Sequence, residues 1–116
     1  MNLAIIPARS GSKRIKNKNI INFHGKPIIF YSINTAIKSK LFDKIIVSTD
    51  STKISKIANK FGGETPFLRP KNLSKDKVST IKVIKHAINF FKRENINFKN
   101  ICCIYPSAPL VTIELL

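Results

Sequence analysis

Three short apolar runs punctuate the chain: NLAIIP at 2–7, KIIVST at 44–49 and NICCIY at 100–105. Each is rich in β-branched residues and lacks strict alternation, the pattern of strands buried on both faces, as in a parallel sheet. Between them the apolar residues recur at helical spacing. In 27–40, Pro27 suits a first helical position, and Ile29, Ile33, Ala36 and Ile37 share one face. In 51–61 the same spacing is carried by Ile54, Ile57, Ala58 and Phe61. Ser51 or Asp50 is placed to cap the start, and Gly62 suits a left-handed residue after the end. The third helix, 78–93, has a stripe of Thr80, Val83, Ile84, Ala87, Ile88 and Phe91, with Lys82, Lys85, Lys92 and Arg93 facing away.

Strands alternating with helices predict right-handed βαβ units and an α/β layer structure, with helices on both faces of a mainly parallel sheet. In such sheets ligands bind beyond the carboxyl ends of the strands, near a topological switch point. The loops Ala8–Asn19, Ser48–Asp50 and Tyr105–Pro109 are therefore expected on one rim. Past Pro109, Thr112 reads as a cap and IELL as the start of a helix too short to be stable alone.

At 116 residues the chain holds one domain with one core, so 1–116 is read as a single unit. With 43% hydrophobic residues it is not a disordered tail, and no apolar run approaches the ~20 residues of a membrane helix. The start has no basic n-region and no cleavage site, which leads to an expected cytoplasmic location. The formal net charge of +15 invites a nucleic-acid reading. The 21 basic residues, however, are mostly Lys spread along the whole chain, without interleaved aromatic platforms or a recognition-helix pattern. Charge alone is thus no nucleic-acid footprint. Cys102 and Cys103 are adjacent in a strand-like run, so their side chains point to opposite faces, and buried thiols are expected rather than a disulfide or zinc ligands. His24 and His86 lack partners for a triad or a metal site, and structural or surface roles are expected for both.

The unusual chemistry follows the first strand. PARSGSKRIKNKN sets Arg9, Lys13, Arg14, Lys16 and Lys18 around a Ser10-Gly11-Ser12 turn. Neither G-x-x-x-x-G-K-[ST] nor G-x-G-x-x-G is present. Gly11 still allows close backbone approach to a ligand, the two serines add hydroxyl donors, and Arg grips phosphate oxygens bidentately. A triphosphate carrying roughly four negative charges matches this loop. The alternative is a solvated charge run.

IIPARSGSKRIKNKNI, followed by GKPIIFYSI, LFDKIIVSTD, FLRP and CIYPSAP, resembles the cytidylyltransferases that activate nonulosonic acids, the CMP-sialic acid (N-acetylneuraminate) and CMP-pseudaminic acid synthetases. The blocks fall in family order over essentially the whole chain. CCIYPSAP, with Tyr105 where sialic acid synthetases usually carry Gln in QPTSP, looks more like the pseudaminic branch. The resemblance implies a Rossmann-like three-layer αβα nucleotidyltransferase fold. It also implies a reaction in which the anomeric hydroxyl of an acidic nine-carbon sugar attacks the α-phosphate of CTP, giving a CMP-sugar and pyrophosphate.

By position, the resemblance assigns Arg9, Ser10, Gly11, Ser12, Lys13, Lys18 and Asn19 to CTP, with Arg9 and Lys13 stabilising charge during transfer. Arg69, Ser79 and Thr80 match the segment that closes over base and ribose, while Tyr105 and Ser107 lie where the sugar acid sits. Blander roles stand beside these: Ser79 and Thr80 as helix caps, Arg69 as a surface arginine, Asp50 bonding amides of its own turn, and Tyr105 packed under its loop. Family members use Mg2+, form homodimers and are about twice this length. Their metal-binding Asp motif matches nothing here, since the six acidic residues form no metal pair. Lys16 stands where the family commonly has Pro, in RIPRKN. The expectation is a truncated, amino-terminal CTP-binding half, an incomplete fragment with little or no synthetase activity unless a second chain completes it. The alternative from another class is a non-catalytic nucleotide-binding remnant or interaction module, and a basic nucleic-acid binder comes third.

Overall fold

The computed structural model describes residues 1–9, 22–23, 25–73 and 79–105. Strand β1 (Asn2–Pro7) lies at the centre of a three-stranded sheet between β4 (Lys44–Ser48) and β5 (Asn100–Cys103), both parallel to it. A second, two-stranded antiparallel ribbon pairs β2 (Asn22–Phe23) with β3 (Lys26–Pro27). Gly25 turns between them at φ +83°, a region that an L side chain rarely enters.

The register explains why the apolar runs need no polar alternation. Ala4 sits opposite Ile45 on one side and Cys102 on the other, and Ile5 opposite Ile46 and Cys103. Leu3, Ala4, Ile5 and Ile6 are all fully buried, because both faces of β1 are covered. Ala4, Ile6 and Val47 pack with Ile29, Ile33 and Ala36 of α1 (Ile28–Ser39) and with Ile54 and Ala58 of α2 (Thr52–Lys60). Leu3, Ile5 and Ile46 pack on the other face with Ala87 and Phe91 of α3 (Thr80–Arg93). Two helices on one face and one on the other make the three-layer αβα arrangement expected from the sequence.

Small departures at the element ends have local causes. Pro27 is the residue before α1 rather than its first, because it closes the β2–β3 ribbon. Ser51, not Asp50, caps α2, its Oγ accepting the Ile54 N–H at 3.2 Å. Gly62 follows α2 at φ +99° as expected. The next glycine sits in a tight place: a Cβ on Gly63 would lie 3.2 Å from both Ile33 Cδ1 and Val47 Cγ2, so these core methyls would have to give way.

An exposed outer edge on β4 would be an aggregation hazard. Here the chain covers it with its own extended segment, 64–69. Glu64 bridges Ile46 and Leu68 bridges Thr49 in parallel sense, through Val47 N–H to Glu64 C=O (2.8 Å) and Arg69 N–H to Thr49 C=O (2.7 Å). Cys102 and Cys103 are half-buried rather than buried. β5 has no strand on its outer side among the described residues, so both thiols keep partial exposure. No described helix is long and apolar enough to cross a membrane. The reading of Thr112 and IELL as a helix start lies outside the described residues, as does His24.

Candidate nucleotide site at the strand ends

With order β4-β1-β5, the chain leaves β1 toward one neighbour and returns on the other side of β1, so the switch point lies between β1 and β5. The ladder extends just past the strands there. Ala8 N–H donates to Ser48 C=O and Ile104 N–H to Ile5 C=O, each at 2.9 Å. These bonds fix Arg9, Asp50 and Tyr105 on the same carboxyl-end rim, as the three loops predicted.

The opposite rim differs in kind, because its polar groups satisfy one another. Asn2 N–H donates to Asp43 Oδ2 at 2.6 Å, Asn2 Nδ2 to Leu41 C=O, Asn100 Nδ2 to Asn2 Oδ1, and Lys99 N–H to Met1 C=O. Lys44 and Glu64 form an ion pair there at 3.7 Å. The polar groups at that end are held by structural bonds. At the carboxyl end, buried polar atoms are left over: Ser48 Oγ and Arg69 Nε have no hydrogen-bond partner. Such orphans are rare in a folded chain and call for an explanation.

Arg69 is the most informative. It is not the surface arginine that one reading of FLRP allowed, for the residue is only 5% exposed. Pairing of its backbone with Thr49 seats the residue at the end of β4. Burial pulls its guanidinium below the usual arginine range, the Asp50 carboxylate offsets part of that, and the Arg9 guanidinium adds to the lowering. Two cations from different loops therefore act on one another here, and among the described residues the Asp50 carboxylate, between strand end and helix, offsets them. Half-buried Arg9, directly after buried Ala8, makes its own interactions.

The start of α3 and the end of β5 meet on the same rim. Ser79 caps α3, its Oγ accepting Lys82 N–H at a long 3.4 Å. Thr80 Oγ1 and Tyr105 Oη share a hydrogen bond of 2.6 Å across 25 residues. Tyr105 is half exposed rather than packed under its loop, and its carbonyl accepts from Ser32 Oγ of α1 at 3.3 Å. Burial, followed by the neighbouring Cys102, pushes the Cys103 thiol up, while a hydrogen bond with the Tyr105 side chain works the other way.

Of the expected site residues, Arg9, Arg69, Ser79, Thr80 and Tyr105 are described and lie at this rim. Ser10, Gly11, Ser12, Lys13, Lys18, Asn19 and Ser107 lie outside the described residues. Sequence reasoning missed Ser48 and the tie between Thr80 and Tyr105. His86, for which a structural or surface role was expected, has its ring edge-on to Phe67 at 4.7 Å, two residues from Arg69. Among the described residues, no three His, Cys, Asp or Glu side chains come together as a metal site. Asp50 alone does not fit a resident divalent cation.

Comparison with known proteins bears on this rim. A family described as Cytidylyltransferase matches residues 3–116. The chain is 47% identical over 115 residues to a pseudaminic acid cytidylyltransferase of Campylobacter jejuni, covering 99% of this chain and 50% of that protein. It is 39% identical over 107 residues to an N-acylneuraminate cytidylyltransferase of Escherichia coli, covering 92% of this chain and 24% of the relative. In fold it is similar to a CMP:2-keto-3-deoxy-manno-octonic acid synthetase solved with CTP, at a TM-score of 0.80 and 19% identity over 97% of this chain and 43% of the other. A nucleotidyl transferase of Methanothermobacter follows at 0.73 and 12%, over 98% of this chain and 54% of the other. The chain spans half, or less, of the length of these curated relatives.

Proposed function

Because this chain belongs to the cytidylyltransferase family, we propose that it carries the donor half of an enzyme that transfers CMP from CTP to an acidic nine-carbon sugar of the pseudaminic type. The observation that supports this most is the rim itself. Arg69 is buried with an unpartnered Nε, and its charge is opposed by burial and by the Arg9 guanidinium at the carboxyl-end rim. A buried cation of this kind is costly unless an anion completes it.

In the proposed step, the anomeric oxygen of the sugar acid attacks the α-phosphorus. The bond from that phosphorus to the bridging oxygen of pyrophosphate breaks, and the hydroxyl proton is released. Arg9 and Arg69 neutralise charge on the triphosphate, with Lys13 of the same loop assigned alongside them, and positioning and electrostatics supply most of the acceleration. Ser10, Gly11, Ser12, Lys18 and Asn19 complete the donor loop in this reading. Ser79 and Thr80 flank the base and ribose, and Tyr105 and Ser107 face the acceptor. A divalent cation would neutralise phosphate charge in such a transfer, but the described residues do not fit one and no step is routed through it.

Since these relatives are two to about four times as long, these 116 residues are expected to bind CTP without turning over alone, acting as a nucleotide-binding module until a complementary chain or segment supplies the rest. Homodimer formation is a feature expected of full-length family members and is not proposed for these 116 residues alone. The test is calorimetric titration of the folded chain with CTP and with ATP. Selective CTP binding weakened at least tenfold by Arg9→Ala supports the reading. Equal, salt-sensitive binding of any polyanion would replace it with a basic nucleic-acid surface.

A further inference from the structure

Three buried polar atoms without partners, Ser48 Oγ, Arg69 Nε and His86 Nδ1, are distributed around one place in the fold. Ser48 is two residues from Ile46 on β4 and so faces α3, the layer against which Ile46 packs. Arg69 is seated beside the end of the same strand by its bond to Thr49. His86 comes from α3 itself. Its ring stands edge-on to Phe67, which shares a side with Arg69 in the extended 64–69 segment, and Phe67 packs in turn on Phe90, one turn further along α3. The imidazole thus backs the guanidinium from the helix side, while Arg9 and Asp50 act on it from the rim.

We propose that His86 is a positioning residue for Arg69 that responds to its charge: when an oligophosphate neutralises the guanidinium, the imidazole takes up a proton. The inference rests on the triphosphate reading of the rim and adds to it a coupling between occupancy and protonation. The charges that bear on His86 are Arg69 from the edge segment and Arg93 two turns along α3; both are cations and both, after burial, hold its basicity below the ordinary histidine value of 6.5. The sheet contributes no opposing charge, for Ser48 is neutral and burial favours the protonated thiol of Cys103, which shares the α3 face by strand alternation. An anion on Arg69 removes the nearer repulsion. Because such coupling is reciprocal, protonation of His86 must tighten oligophosphate binding by the same factor.

The experiment follows the His86 imidazole resonances by NMR as pH is varied, with CTP, with inorganic tripolyphosphate and without ligand, assigning them through His86→Gln and His24→Gln. The midpoint is expected to rise by roughly half a pH unit or more on saturation with either ligand, less than a charge in direct contact would give. Arg69→Met should raise it without ligand, and ligand should then add nothing. In titrations at pH 6 and pH 8, the wild-type advantage over His86→Gln in CTP affinity should grow about 1.5- to 2.5-fold at the lower pH for a half-unit rise. A His86 midpoint unmoved by saturating CTP, while rim resonances shift, overturns the coupling and leaves the site intact. Failure of both CTP and tripolyphosphate to bind the folded chain overturns the reading of the site together with it.

Discussion

Replacing Arg69 by Met separates a residue kept for a ligand from one kept for the fold. Met approximates the length of the arginine stem and retains the backbone N–H that bonds Thr49, so the edge segment keeps its pairing. What disappears is a guanidinium 5% exposed, whose Nε has no partner and whose charge is opposed by burial and by Arg9. Exchanging buried ionic groups for apolar residues of similar volume is often neutral or stabilising by about 1–4 kcal/mol. Asp50 is half-buried and has an interaction of its own, so the lower end applies. A gain of roughly 1 kcal/mol would raise the melting temperature by about 4 °C in a domain of this size. CTP affinity should move the other way. Loss of a charge-assisted bond worth about 1.5–3 kcal/mol weakens binding about 10- to 150-fold. Thermal unfolding followed by circular dichroism and calorimetric titration of the same preparation give both numbers. If Arg69→Met destabilises the chain by more than about 1 kcal/mol, or leaves CTP affinity unchanged, the arginine is structural and the argument from its burial fails.

Ser51→Ala should cost about 1 kcal/mol in urea unfolding, since it removes the cap on Ile54 N–H, whereas Ser79→Ala should cost less because its bond to Lys82 is longer. A double-mutant cycle of Thr80→Val and Tyr105→Phe should return a coupling of about 0.5–1.5 kcal/mol for the 2.6 Å hydroxyl pair, and an energy near zero would show that the two hydroxyls do not hold the rim together. Folded-state depression of His86 basicity means that its neutral form contributes stability above pH 6.5 that is lost as pH falls below it; wild-type stability should therefore drop across that window more than that of His86→Gln. With Cys102 replaced by Ser, Cys103 should alkylate more slowly at pH 8 than a free cysteine standard, because burial keeps its thiol protonated.

The layer structure was legible because three short apolar runs and three helical stripes leave little choice. Leu3 to Ile6 can be apolar throughout only if both sheet faces are covered, and the stripes supply those covers. The edge segment 64–69 was not legible, since ETPFLR has no strand pattern. It pairs through backbone groups of Glu64 and Arg69, which side-chain periodicity does not report. The same limit hid the burial of Arg69, a residue type that is usually exposed, and the tie between Thr80 and Tyr105, which depends on where α3 starts relative to β5. The basic loop stood out as chemistry because Gly11 and two serines interrupt its charges. No spacing within it could say which cations converge on Arg69, a relation set by the sheet and not by neighbours in the chain.

The most direct test of the central claim is to map CTP onto the isotopically labelled chain by NMR chemical-shift perturbation. Binding at the switch point predicts that backbone signals of Ala8, Arg9, Thr49, Arg69, Thr80 and Tyr105 shift together with one affinity, while Lys44, Glu64 and Lys99 on the opposite rim stay in place. Shifts centred on that opposite rim, or scattered over lysines across the surface, would contradict the account.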